Sequence, residues 1–246
     1  MTLVLAAHGT RDPAGAVVVE EIAAAVRRRL PGIPVAVAYV DVRSPSLTEV
    51  LRSVDGPAVV VPAFLAAGYH VRVDVPEQIL LSGCSSVVVT PALGPSDLVL
   101  DAVYDRLVGA GWEHGHGIVL AAAGSSDARA VADVHRAARR LSVPTRSSVQ
   151  VGFITSASPS VPEAVAAART PDADHCVVDG VASGRDRPVA IASWLLAPGL
   201  FHQRLADMGA DLVSEPIGAH PRLVDLVVHR ALAAGIVDLS TILVGQ

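Results

Sequence analysis

Leu3-Val4-Leu5-Ala6-Ala7-His8-Gly9-Thr10-Arg11-Asp12-Pro13 opens the chain and decides how the rest is read. Five apolar residues in a row suit a strand buried on both faces of a parallel sheet. Gly9 and the Asp12-Pro13 pair then mark a turn into a helix. A histidine directly after such a strand lies at the carboxyl edge of the sheet, where open α/β folds bind ligands. At this point His8 has two readings: a polar group that satisfies the turn, or a titratable group at a site.

Outward from this stretch, helical and extended patterns alternate. Residues 14–30 predict a helix with an apolar stripe at Val18, Ile22, Ala25, Val26 and Leu30; Arg27-Arg28-Arg29 suit its C-terminal dipole and Pro31-Gly32 stops it. Residues 35–40 read as a second strand ending at Asp41. Ser44-Pro45-Ser46 begins a helix through Leu51, with Ser46 as cap and Glu49 three residues on. A third strand at 58–62 leads into a loop, Phe64-Leu65-Ala66-Ala67-Gly68-Tyr69-His70, then a helix near 75–81, a strand at 87–90 and an amphipathic helix at 97–108. Strands alternating with helices predict a wound parallel sheet.

Gly111-Trp112-Glu113-His114-Gly115-His116-Gly117 breaks the pattern and reads as a linker, after which the order starts again. Ile118-Val119-Leu120-Ala121-Ala122-Ala123-Gly124-Ser125 echoes residues 3–10. Residues 149–155 with Ser158-Pro159-Ser160 echo residues 35–41 with Ser44-Pro45-Ser46. Leu195-Leu196-Ala197-Pro198-Gly199-Leu200-Phe201-His202 echoes the Phe64–His70 loop with one extra residue, and Glu215-Pro216-Ile217-Gly218 echoes residues 90–94. A duplication of this period predicts two similar α/β domains, 1–113 and 114–246, facing each other across a cleft. The second half carries an insertion at 180–188.

Composition narrows the function classes. The 246 residues are 51% hydrophobic and 17% charged, enough for a large core, and with aromatics at 3% it is built from Ala, Val and Leu. A net charge of −5 gives no reason to expect nucleic acid or an acidic membrane as partner. No apolar run reaches the ~18 residues of a membrane span, and the N-terminus lacks a basic signal region. Cys84 and Cys176 stand far apart and read as buried thiols rather than a disulfide. The expected location is the cytoplasm. All 19 basic residues are arginine, which excludes a Walker A lysine and a Schiff-base lysine.

The repeat serves as an internal control. Where the first half has His8 the second has Ala123, and where it has Asp41 the second has Thr155. A turn that recurs without its histidine did not need it, so His8 is read as chemistry placed on a scaffold. In a wound sheet the ends of the first three strands are neighbours, which brings His8, Asp41 and the His70 loop together. Two imidazoles and a carboxylate with open positions can hold a divalent transition metal. A structural zinc site would want four closed ligands, usually with thiolates, and neither cysteine has that spacing. His202 corresponds to His70 and is a candidate for lining the far wall. His114 and His116 fall in the linker and are expected to be exposed, and His135, His175, His220 and His229 to lie on helix faces or the surface.

The turn Ala7-His8-Gly9-Thr10-Arg11-Asp12-Pro13, the Ser44-Pro45-Ser46 segment and Pro62-Ala63-Phe64-Leu65-Ala66-Ala67-Gly68-Tyr69-His70-Val71-Arg72-Val73-Asp74-Val75-Pro76 together resemble the class II tetrapyrrole chelatases, in particular the sirohydrochlorin chelatase (SirB/CbiX) group in its long two-repeat form. The resemblance implies ATP-independent insertion of Fe²⁺, with Co²⁺ next, into sirohydrochlorin for sirohaem or cobalamin-type cofactors. It implies that His8 and His70 bind the metal, which is a substrate and not a resident cofactor. It also implies that Leu65, Ala66, Ala67, Gly68 and Tyr69 line the tetrapyrrole site. Family members often carry acids at the positions of Asp41 and Ser44; only Asp41 keeps one. Insertion must also remove two pyrrole N–H protons, and Asp41, or whichever histidine is free of metal, is the candidate acceptor. Sirohydrochlorin carries carboxylates around its rim, which arginine binds in bidentate fashion; Arg11, Arg43 and Arg72 lie in the relevant loops, with Arg185 and Arg187 in the insertion. The duplication suits a monomer. Two rival readings share some of these features. A non-catalytic carrier of metal or tetrapyrrole would use the same histidines. A histidine-phosphatase-like enzyme would want an arginine directly before the histidine, where Ala7 stands.

Overall fold

The computed structural model describes residues 1–170 and 187–236. The Leu3–Ala7 run is the buried centre of β1 (Thr2–Ala7): its four residues from Leu3 to Ala6 have no solvent exposure. It pairs in parallel with β2 (Val35–Tyr39) on one side and β3 (Ala58–Pro62) on the other, and β3 pairs with β4 (Val87–Val89), giving the order β2-β1-β3-β4. The register is close to level, with Ala7 opposite Tyr39 and Ala6 opposite Pro62. The connections after β1 and β3 leave the sheet in opposite directions, the arrangement that opens a crevice at the carboxyl ends of α/β strands.

Helices follow where their caps predict them. Asp12 accepts the Ala14 N–H at 2.9 Å and Pro13 fills the first turn of α1 (Pro13–Arg29). Ser46 and Glu49 form a reciprocal capping box on α2 (Leu47–Ser53). One departure matters. The helix expected near 75–81, α3 (Val75–Ser82), is preceded by a π-helical turn at His70–Asp74. Such wide turns are rare and concentrate at functional sites.

The second sheet repeats the first: β5 (Gly117–Ala122), β6 (Val149–Phe153), β7 (Val189–Trp194) and β8 (Leu212–Val213) run parallel in the order β6-β5-β7-β8. The duplication extends to individual bonds. The Asp41 N–H donates to the His8 carbonyl at 2.9 Å, as Thr155 does to Ala123. Gly9 and Gly124 both adopt positive φ, and a Cβ at either would lie 2.3 or 2.0 Å from the carbonyl oxygen of Asp41 or Thr155. Only glycine fits. Both Ser–Pro bonds, at 44–45 and 158–159, are cis.

Compaction does not divide the chain at 113/114. One unit is Met1–Gly94 with the chain from Ala219; the other is Pro95–Gly218. Each half donates its last helix to the other half's unit. α4 (Asp97–Gly109) packs on β7 and on α5 (Ala128–Thr145), while α8 (Pro221–Ala233) packs on α1 and β3. The expected linker is anchored at one side chain: Trp112 is buried, edge-on to Tyr104 and to His114, while Gly111 and residues 113–115 are exposed. Tyr104 belongs to α4, so the indole packs on the helix that joins the second unit, a contact that sequence periodicity does not report. No helix among the described residues is long and apolar enough to cross a membrane.

Candidate functional site

His8 leaves the end of β1 at the switch point of the first sheet. His70 arrives from the loop after β3, and the two rings stand 4.5 Å apart between centroids, inclined at 36°. Phe64 backs both, 6.3 Å from His8 and 6.2 Å from His70, nearly parallel to the latter. The loop carrying Phe64 and His70 is seated on Gly94, whose N–H donates to the Phe64 carbonyl at 3.0 Å; a Cβ at Gly94 would strike the Leu65 carbonyl at 2.3 Å. Backbone contact this close is possible only over glycine, so the loop height is set by the turn after β4.

His70 has a partner that sequence reasoning did not single out. Its Nδ1 lies 2.5 Å from Oδ2 of Asp74, four residues on across the π-helical turn. A carboxylate only accepts, so Nδ1 carries the hydrogen, and in the neutral ring this leaves the lone pair on Nε2. This is how metal-binding imidazoles are commonly oriented. The signal was available in the repeat: the position matching Asp74 is Ala206, so the second half lacks this carboxylate as well as His8.

His8 keeps an open face to solvent while its other side lies against Phe64 and His70. Partial desolvation, and next the neighbouring His70, lower its pKa below the ordinary imidazole value, against the opposing pull of Asp41 and Asp74. A neutral His8 at pH 7 is a donor ready for a cation. Among the described residues no set of three His, Cys, Asp or Glu side chains forms a closed metal cluster. Asp41 is therefore not a third ligand in this geometry. Its Oδ1 accepts the Val42 N–H at 2.8 Å, holding the carboxylate on its own turn beside His8.

The other expected residues fare unevenly. Leu65, Ala66, Ala67 and Gly68 are half-buried along the loop and Tyr69 is exposed, edge-on to His70. Arg72 lies on the π-helical turn between His70 and Asp74. Arg43 is engaged within the fold: its Nη1 donates to the Thr10 carbonyl at 3.0 Å and its guanidinium lies over the Tyr39 ring. Arg11 is exposed at the head of the turn. In the second unit His202, on α7 (Leu200–Leu205), donates from Nε2 to the Ser214 carbonyl at 3.0 Å and so serves its own fold. Arg187 likewise donates to the Ala168 carbonyl. Arg185, His175, Cys176 and residues 180–186 of the insertion lie outside the described residues; Cys84 is a free thiol.

Comparison with known proteins matches the CbiX family model at residues 2–110 and again at 117–179, once in each repeat. The chain belongs to the CbiX family. A sirohydrochlorin cobaltochelatase of Methanococcoides burtonii is 32% identical over 116 residues, which cover 40% of this chain and 88% of that protein. Among solved structures, SirB from Bacillus subtilis with Fe³⁺ superposes with a TM-score of 0.77 at 19% identity, covering 95% of this chain and 94% of that one. A CbiX described as the terminal enzyme for biosynthesis of siroheme in denitrifying bacteria gives 0.67 at 22%, covering 95% and 99%. At these identities the structures show a shared fold, two sheets of the CbiX type in one chain.

Proposed function

We propose that this CbiX-family chain is a sirohydrochlorin chelatase that inserts divalent iron or cobalt without nucleotide hydrolysis. The observation that carries this reading is the His8–His70 pair, 4.5 Å apart at the sheet's switch point, with Asp74 fixing one ring from behind. Two neutral imidazoles hold a divalent ion on one side and leave its other positions for water and for incoming pyrrole nitrogens. A closed four-ligand cage would trap the ion; a two-ligand site can release it.

Insertion exchanges two pyrrole N–H protons for one M²⁺, so charge is conserved and the site must accept protons as it gives up metal. Asp41 is the acceptor in this reading, because it stands next to His8 without belonging to the ligand set. The loop from Leu65 to Tyr69 lines the macrocycle, and Arg11 and Arg72 meet its carboxylate rim. Fe²⁺ is the first assignment and Co²⁺ the second, the duplicated chain acting as a monomer in the cytoplasm.

The test is turnover. Sirohydrochlorin with Fe²⁺ or Co²⁺, no nucleotide and protein far below stoichiometry should convert at many times the spontaneous rate, followed by the absorption change. A rate equal to the spontaneous one would leave only a carrier. Competition between the two metals assigns the preferred one.

The lowered His8 pKa adds a pH dependence. Because a proton and a metal compete for the same lone pair, Co²⁺ affinity should stay level from pH 8 to about 6.5 and fall below that. An NMR titration of the His8 ring with a midpoint above the ordinary imidazole value would contradict a depressed His8.

A further inference from the structure

Val42 occupies the centre of a three-residue turn closed by the Arg43 N–H to the Asp41 carbonyl at 2.6 Å, with its backbone in the left-handed region at φ 47. For a β-branched residue that conformation is an outlier, since Cβ crowds the following carbonyl and the branched side chain cannot turn away. The turn requires the conformation but not the valine. The matching turn of the second unit has the same 2.6 Å bond, from Ala157 to Thr155, and φ 49 at Ser156. Nor does core packing account for it, because Val42 is 50% exposed. Its position is defined by Gly9, from whose absent Cβ the Val42 Cγ2 would stand 3.1 Å. Val42 thus lies over the glycine that follows His8.

A strained, half-exposed apolar side chain persists where surrounding structure and function hold it. Here the apolar residue occurs in the unit that has His8, and a hydroxyl replaces it in the unit that has Ala123. We propose that Val42 is a substrate-contact residue whose methyl groups pack on the face of the tetrapyrrole ring as it approaches His8. This rests on the chelatase reading above. A tetrapyrrole macrocycle is a broad flat apolar surface inside a charged rim, and a rigid apolar knob beside the metal-bearing imidazole supplies contact that arginines at the rim cannot.

Val42→Asn separates the two halves of the inference, because asparagine tolerates the left-handed region and lacks the methyl groups. Its Tm should rise by about 2–4 °C as the strain is relieved. Its affinity for sirohydrochlorin, read by fluorescence quenching without metal, should fall about fivefold to tenfold for the lost apolar contact. Co²⁺ affinity should match the parent, since His8 and His70 are untouched. Equal sirohydrochlorin binding by parent and variant would overturn the proposal. So would a fall of both Tm and affinity, which would mean that Val42 acts only through the turn. A parent chain that does not bind sirohydrochlorin would instead refute the chelatase reading, so the two failures are distinct.

Discussion

His8→Ala is expected to lose at least about a hundredfold in metal-insertion rate while leaving the fold unchanged. Removing an outer partner of a metal ligand alone costs about 10–100-fold, and His8 is one of the two imidazoles that the described residues bring together in the site. The chain itself contains the control for the fold. Ala123 occupies the corresponding position in the second unit, where the neighbouring strand closes with the same pattern: Ile154 N–H to Ala122 at 2.9 Å and Thr155 N–H to Ala123 at 2.9 Å, against 2.8 and 2.9 Å for Val40 and Asp41 in the first. The helix entry is also shared, with the Asp12 backbone N–H donating to Thr10 Oγ1 and that of Asp127 to Ser125 Oγ. Initial rates by absorbance, alongside thermal unfolding, make the measurement. Tm should stay within ~2 °C of the parent. Full turnover by the variant would remove His8 from the site, and an unfolded variant would show that the first turn, unlike the second, depends on its imidazole.

Asp74→Asn is expected to weaken Co²⁺ binding about 10–100-fold. The carboxylate at 2.5 Å places a hydrogen on Nδ1 of His70, so the neutral ring offers its lone pair at Nε2. A carboxamide can present its NH₂ instead, which favours the opposite tautomer and places a hydrogen where the metal should bind; even when it presents oxygen, the negative charge is gone. Cobalt titration followed by visible absorption measures the affinity, and imidazole nitrogen chemical shifts report the tautomer directly. An unchanged affinity with an unchanged tautomer would reduce Asp74 to a brace of the π-helical turn.

Much of this candidate site is legible in the sequence. His8 was marked by the contrast with Ala123, and His70 by its place in the loop after the third strand; both stand in contact. Asp74 was missed for a physical reason. Four residues from His70, at the approach to α3, it reads as one more polar position near a helix start, and the π-helical turn that aims it at Nδ1 has no signature in periodicity. The roles expected of Arg43 and His202 met local competition, since a guanidinium near the Thr10 carbonyl and an imidazole near the Ser214 carbonyl satisfy backbone acceptors of their own units.

The sequence by itself determined the two wound sheets, their repeat and the histidine that distinguishes them, because buried strands, caps and turn glycines are local and recur at matching positions. Tertiary structure alone decided which unit each last helix completes, that Trp112 is buried within the expected linker, and that His70 is held by Asp74. Those outcomes depend on which apolar face covers which sheet and on ångström-scale aim across a turn, and an apolar stripe carries no address for its partner.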